Sequence, residues 1–152
     1  MERPLVVTGP SESAMDLIRE AGELAEATET PLTVLTVVTR EEFEEDSETL
    51  STIGEIEHTS HSFSAEEYAE SVAKQAINDL LADLDVETEP VGVGVSNDGA
   101  RADAIIEAAE ERDCDYVFVI GRRRSPTGKA VFGDTAQKVI LNYDGSVVVK
   151  TE

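Results

Sequence analysis

The sequence predicts an α/β fold, a five-stranded parallel sheet wound with helices on both faces, and three observations carry that prediction. Short apolar runs rich in β-branched residues recur along the chain and end in turn residues, and such runs read as buried strands. Between them lie segments whose apolar residues repeat at helical spacing, and strict alternation of strand and helix implies parallel strands joined by right-handed crossovers. The length of 152 residues with 40% hydrophobic content supplies one core, so a single domain is expected over residues 1–152.

The elements follow in order. Pro4 to Thr8 is a first strand closed by Gly9-Pro10. Ser11 then offers an N-cap, Glu12 suits the positive helix start, and Ala14, Ile18, Ala21 and Ala25 mark one buried face to about Ala27. Pro31 resets the chain, and Leu32 to Val38 is an uncharged second strand. Arg40 to Ser64 is acidic and aperiodic, so it reads as a long surface loop with at most one irregular helical turn.

Ser64 to Glu67 has the spacing of a capping box, and Tyr68, Val72, Ala76, Leu80 and Leu84 stack along one face of the helix that follows. Val86 to Val95 is a third strand in which Pro90 cannot donate to a ladder, which points to a sheet edge. Ser96 to Gly99 is a turn that supplies caps, and Ala102, Ile105, Ile106 and Ala109 give a third helix ending near Arg112. Tyr116 to Ile120 is the most apolar strand. A basic, glycine-containing loop spans Gly121 to Gly133, a short helix Asp134 to Asn142, and the last strand Ser146 to Lys150. These make four main helices.

Composition excludes several functions. The chain carries 12 Lys and Arg against 33 Asp and Glu, a net charge of −21. An acidic surface of this strength repels phosphates, so neither nucleic acid nor an anionic membrane is an expected partner. Self-repulsion on that scale is relieved in concentrated salt, where the Debye length falls to about 3 Å at 1 M, and the chain therefore reads as adapted to a salty, haloarchaeal-type cytosol. No long apolar run or leader pattern is present, and a single cysteine, Cys114, suits a reducing compartment. A soluble cytoplasmic protein is expected.

Charge is segregated along the chain. Residues 1–120 hold six basic and thirty acidic residues, −24, whereas residues 121–150 hold six basic and two acidic ones, +4. A cationic, glycine-bearing loop leading into a helix N-terminus is suited to phosphate, because first-turn amides and guanidinium groups can both reach the anion. In open parallel sheets ligands bind outside the carboxyl ends of the strands where the strand order reverses. If the first and fourth strands are neighbours, the turn Thr8-Gly9-Pro10-Ser11 and the loop from Gly121 share one crevice.

The strand and turn VVTGPSES, the strand LTVLTVV, the turn SNDGARADAI and above all YVFVIGRRRSPTGKAVFGDTAQKVILNYDGSVVV resemble the universal stress proteins (UspA-like domains). The resemblance covers almost the whole chain. It implies the adenine-nucleotide α-hydrolase-like sheet order 3-2-1-4-5 and a homodimer paired through the last strand, Ser146 to Val149. It also implies ATP or a related nucleotide with Mg2+ across the crevice, and Val37 lining the adenine pocket.

Candidate contacts are then Thr8, Gly9, Pro10, Ser11, Val37, Gly121, Arg122, Arg124, Gly128, Gly133, Asp134 and Thr135. The family's G-x2-G-x9-G-[ST] pattern is altered: counted from Gly121 the middle glycine is Arg124 and Gly133 arrives one residue early, while counted back from Gly133 the earlier positions are Ile120 and Arg123. Asp134 follows Gly133 in place of a hydroxyl residue, with Thr135 next, and Asp134 is placed to cap the helix and repel phosphate. The first turn also lacks the family's acid, so ribose or metal contacts from that position do not carry over.

No catalytic residues and no metal ligands are read from the chain. His58 and His61 lack a zinc spacing, and Cys114 reads as a small hydrophobe whose thiol is held protonated by Asp113 and Asp115. Family resemblance allows at most a weak ATPase or autophosphorylation. Two functions stay open: a nucleotide-binding stress-response dimer, and a nucleotide-free dimeric module acting through contacts with an unidentified protein partner.

Overall fold

The computed structural model describes residues 1–46, 64–122 and 132–152. Five strands, β1 (Pro4–Val7), β2 (Leu32–Thr39), β3 (Thr88–Val95), β4 (Tyr116–Gly121) and β5 (Ser146–Thr151), form one parallel sheet in the order β3-β2-β1-β4-β5. The expected order is the observed one. Pro90 lies in β3, which pairs only with β2, so its missing N–H falls on a sheet edge.

The main helices among the described residues are α1 (Glu12–Thr28), α2 (Ala65–Leu80), α3 (Arg101–Glu111) and α4 (Asp134–Asn142). Strand side chains alternate between two cores. Val6, Val34 and Phe118 pack with Leu17, Ile18, Ala21 and Ala73 under α1 and α2, whereas Leu5, Leu35, Val117 and Val119 pack with Ile105, Ala109 and Val139 under α3 and α4. Burial of the strands from both sides explains their near-continuous apolar sequences. β1 spans only four residues and is paired on both flanks, by β2 and β4.

The two predicted N-caps are present. Ser11 Oγ accepts from Ala14 N–H at 3.1 Å, and Ser64 and Glu67 make a reciprocal capping box. Three readings need correction. Residues 40–46 are helical, not irregular: Thr39 and Glu42 exchange side-chain to backbone bonds at 2.9 and 3.1 Å, a second capping box. The remainder of the predicted loop, including His58 and His61, lies outside the described residues. The turn Ser96 to Gly99 leads into a 3-10 segment, Asp98–Ala100, and the N-cap of α3 is Ala100 with no side-chain bond.

The third correction concerns α2. Its fully buried residues are Ala69 and Ala73, while Tyr68, Val72, Ala76 and Leu80 are half-buried flanks, and Leu84 lies beyond the helix end. The reason is on β3, where a Cβ at Gly92 would stand 2.2 Å from Glu70 N and 2.4 Å from Glu66 O. Helix backbone rests directly on strand backbone, and only alanine-sized residues fit at the contact. Gly92→Ala should lower stability by roughly 1–3 kcal/mol or more through overpacking, measured by urea unfolding, whereas Gly99→Ala, which meets only the Asn97 side chain at 3.2 Å, should change it little.

Candidate functional site

The pairing of β1 with β4, Pro4 opposite Tyr116 through Val6 opposite Phe118, brings the segments after both strands side by side at the carboxyl end of the sheet, where the strand order reverses and sheets of this topology form their binding crevice. On the β1 side Thr8 is fixed twice. Its N–H donates to Leu35 O at 2.9 Å and its hydroxyl bonds the Thr36 hydroxyl at 2.8 Å. Gly9 follows at a close approach, where a Cβ would lie 3.1 Å from Ala14 Cβ. Pro10 is exposed, and Ser11 is committed to capping α1.

On the β4 side Gly121 is buried, and a Cβ there would meet Val149 at 2.5 Å. The Arg122 N–H donates to Phe132 O at 2.9 Å, drawing together the two ends of the basic loop. Gly133 then takes φ 86° and ψ 152° as the N-cap of α4, a conformation open essentially to glycine alone. Among the described residues no side chain caps this helix, and its first-turn amides carry the partial positive charge of the helix start.

This corrects the role expected of Asp134, which is exposed in the first turn and caps nothing. Thr135 is half-buried beside it. The Arg122 side chain is exposed and pairs with Glu152 at 3.7 Å. Arg124 and Gly128 lie outside the described residues.

Val37 is buried within the core, and its carbonyl is occupied. Arg101 donates from Nη1 to Val37 O at 2.8 Å, from Nη2 to Glu42 at 2.6 Å and from Nε to Asp98 at 2.8 Å. One guanidinium thus joins the carboxyl end of β2, the 40–46 helix and the start of α3. Burial alone would raise the Glu42 carboxyl, but bonds from Arg101 and from Thr39 prevail and hold it below its ordinary range. The same helix is tied to α2 by the Tyr68 hydroxyl, which donates to Asp46 at 2.5 Å. Burial, with that acidic neighbour, pushes the phenol up to about 12.

Arg101 is the residue that sequence reasoning missed. Its partner Glu42 lies 59 residues away, although the Thr39 to Glu42 capping box was a visible sign that a helix begins there. Among the described residues no group of three His, Cys, Asp or Glu side chains gathers to hold a metal, and no helix is long and apolar enough to cross a membrane.

Comparison with known proteins agrees with this architecture. The model of the universal stress protein family matches residues 1–150. A universal stress protein from Archaeoglobus fulgidus is 25% identical with a TM-score of 0.58, over 98% of this chain and 97% of that one. A universal stress protein in complex with cAMP is 20% identical, TM-score 0.58, over 99% and 96% of the two chains. The Archaeoglobus fulgidus protein in complex with dAMP is 21% identical, TM-score 0.53, over 98% and 96%. No curated protein matched the chain.

Proposed function

The chain belongs to the universal stress protein family, and from that premise we propose that it is a stress-response domain binding ATP or a related adenine nucleotide between the ends of β1 and β4. One observation carries the reading: α4 starts at Gly133 with no side-chain cap, beside Arg122, on the crevice that β1 and β4 share. A phosphate there would accept from first-turn amides and from guanidinium groups of the basic loop. Solved universal stress proteins in complex with cAMP and dAMP support the ligand class. The nucleotide would bring its own Mg2+, because Thr8 to Ser11 contains no acid to hold one.

Arg101 favours a second reading. Its guanidinium already takes one of the two acceptor positions of the Val37 carbonyl, which leaves that carbonyl less free to read a base, and a nucleotide-free module acting through protein contacts is the alternative. In both readings β5 is an open edge of the sheet with Val148 exposed. Unpaired edges invite association, and we propose a homodimer through Ser146 to Val149. The acidic surface fits a protein working in a salty cytosol.

Isothermal titration with Mg-ATP in molar KCl should show binding that Arg124→Ala weakens by roughly tenfold, the loss of one charge-assisted phosphate contact of about 1.5 kcal/mol. No heat at millimolar nucleotide would leave the interaction module. Light scattering at high salt should give the mass of a dimer, and a monomer would remove the strand-pairing proposal.

A further inference from the structure

A cavity of about 210 Å3 opens at the amino-terminal ends of the strands, the opposite end of the sheet from the crevice, and is lined among others by Arg3, Thr33, Glu89, Arg112 and Cys114. Three features of its lining set it apart. Arg112 Nε is buried with no hydrogen-bond partner: the Glu89 carboxylate stands 3.5 Å away, while Nη1 reaches the Ala108 carbonyl at 3.5 Å and the Glu111 carboxylate at 3.9 Å. A buried orphan donor in a native fold calls for a partner such as an ion or water.

The second feature is Arg3. Among the described residues its guanidinium has no ion pair and no hydrogen bond, although acids outnumber bases 33 to 12 in this chain. Its backbone, in contrast, is fixed, with N–H on Asp115 at 2.8 Å and the carbonyl accepting from Asp115 N–H at 3.1 Å. The third is Cys114, half-buried, which feels both guanidiniums. Burial raises the thiol and Asp115 adds to that rise, while the Thr33 side chain, Arg112 and Arg3 pull against it. Both guanidiniums line the same cavity as Cys114.

We propose that this cavity binds a small oxyanion, a carboxylate or inorganic phosphate, held between the guanidinium groups of Arg3 and Arg112. Guanidinium presents a planar fork that two oxygens of such an anion match, and the ligand would supply the acceptor that Arg112 Nε lacks. The remaining acids confine the ligand to a small one. Glu87 and Glu89, both exposed, also line the cavity, and Glu89 stands 3.5 Å from Arg112 Nε, so a bound anion shares Arg112 with that carboxylate and polyanions are repelled more strongly than a compact anion. The site is independent of the nucleotide reading, since it uses none of the crevice residues.

Cys114 is the only cysteine in the chain, which makes it a built-in reporter. Labelling by the uncharged reagent N-ethylmaleimide, followed by mass spectrometry at constant ionic strength in chloride, should slow several-fold and saturably as phosphate or acetate replaces chloride. Arg3→Gln, a change at an exposed side chain, and Arg112→Gln should each reduce or remove the protection. Whichever anion protects at the lower concentration identifies the preferred geometry, tetrahedral or planar. Labelling that neither anion slows, protection that chloride alone matches, or protection undiminished in both variants would overturn the proposal.

Discussion

The four-residue strand β1 carries the constraint on which the rest of the molecule depends. It pairs on one side with β2 and on the other with β4, so the order of strands reverses at its flank. Chain leaving β1 enters α1 on one face, and chain leaving β4 runs toward α4 on the other. The two departures part the backbone above the sheet and open the crevice. Among the described glycines beside it, Gly121 is held by close approach to Val149 and Gly133 by its φ of 86°, while Gly9 lies tightly against Ala14.

Electrostatics then divides the molecule. The first 120 residues carry −24, so most of the surface repels phosphate. The carboxyl ends of β1 and β4 bring together features of opposite sign, the start of α4 at Gly133 and Arg122. At the carboxyl end of β2, however, the Val37 carbonyl and the Glu42 and Asp98 carboxylates already accept from Arg101. The start of α4 and the end of β2 thus differ, the first without a side-chain cap and the second tied by the chain's own guanidinium.

Much of this was legible in the sequence where local chemistry decides. Ser11 and Ser64 signalled their helices, Pro90 signalled an edge strand, and the apolar blocks became the strands with ends shifted by a residue or two. What local chemistry does not decide was read less well. Helix α2 carries two adjacent stripes, Tyr68, Val72, Ala76 and Leu80 in one and Ala69 and Ala73 in the other, and Gly92 on a distant strand selects the second. Asp134 looked like a cap, but the angles of Gly133 make that glycine the N-cap. The order of strands came from family resemblance, because periodicity alone does not say which strands are neighbours. Arg101 has partners at 37, 42 and 98, which only the folded sheet brings together.

The central claim is that phosphate enters at the carboxyl ends of β1 and β4. Amide-resolved NMR of the labelled protein in molar KCl, titrated with Mg-ATP, tests it most directly. The account predicts that the largest shifts fall on Gly121, Arg122, Gly133, Asp134 and Thr135. Shifts confined to the other end of the sheet, around Thr33 and Arg112, or an unchanged spectrum at millimolar nucleotide, would contradict it.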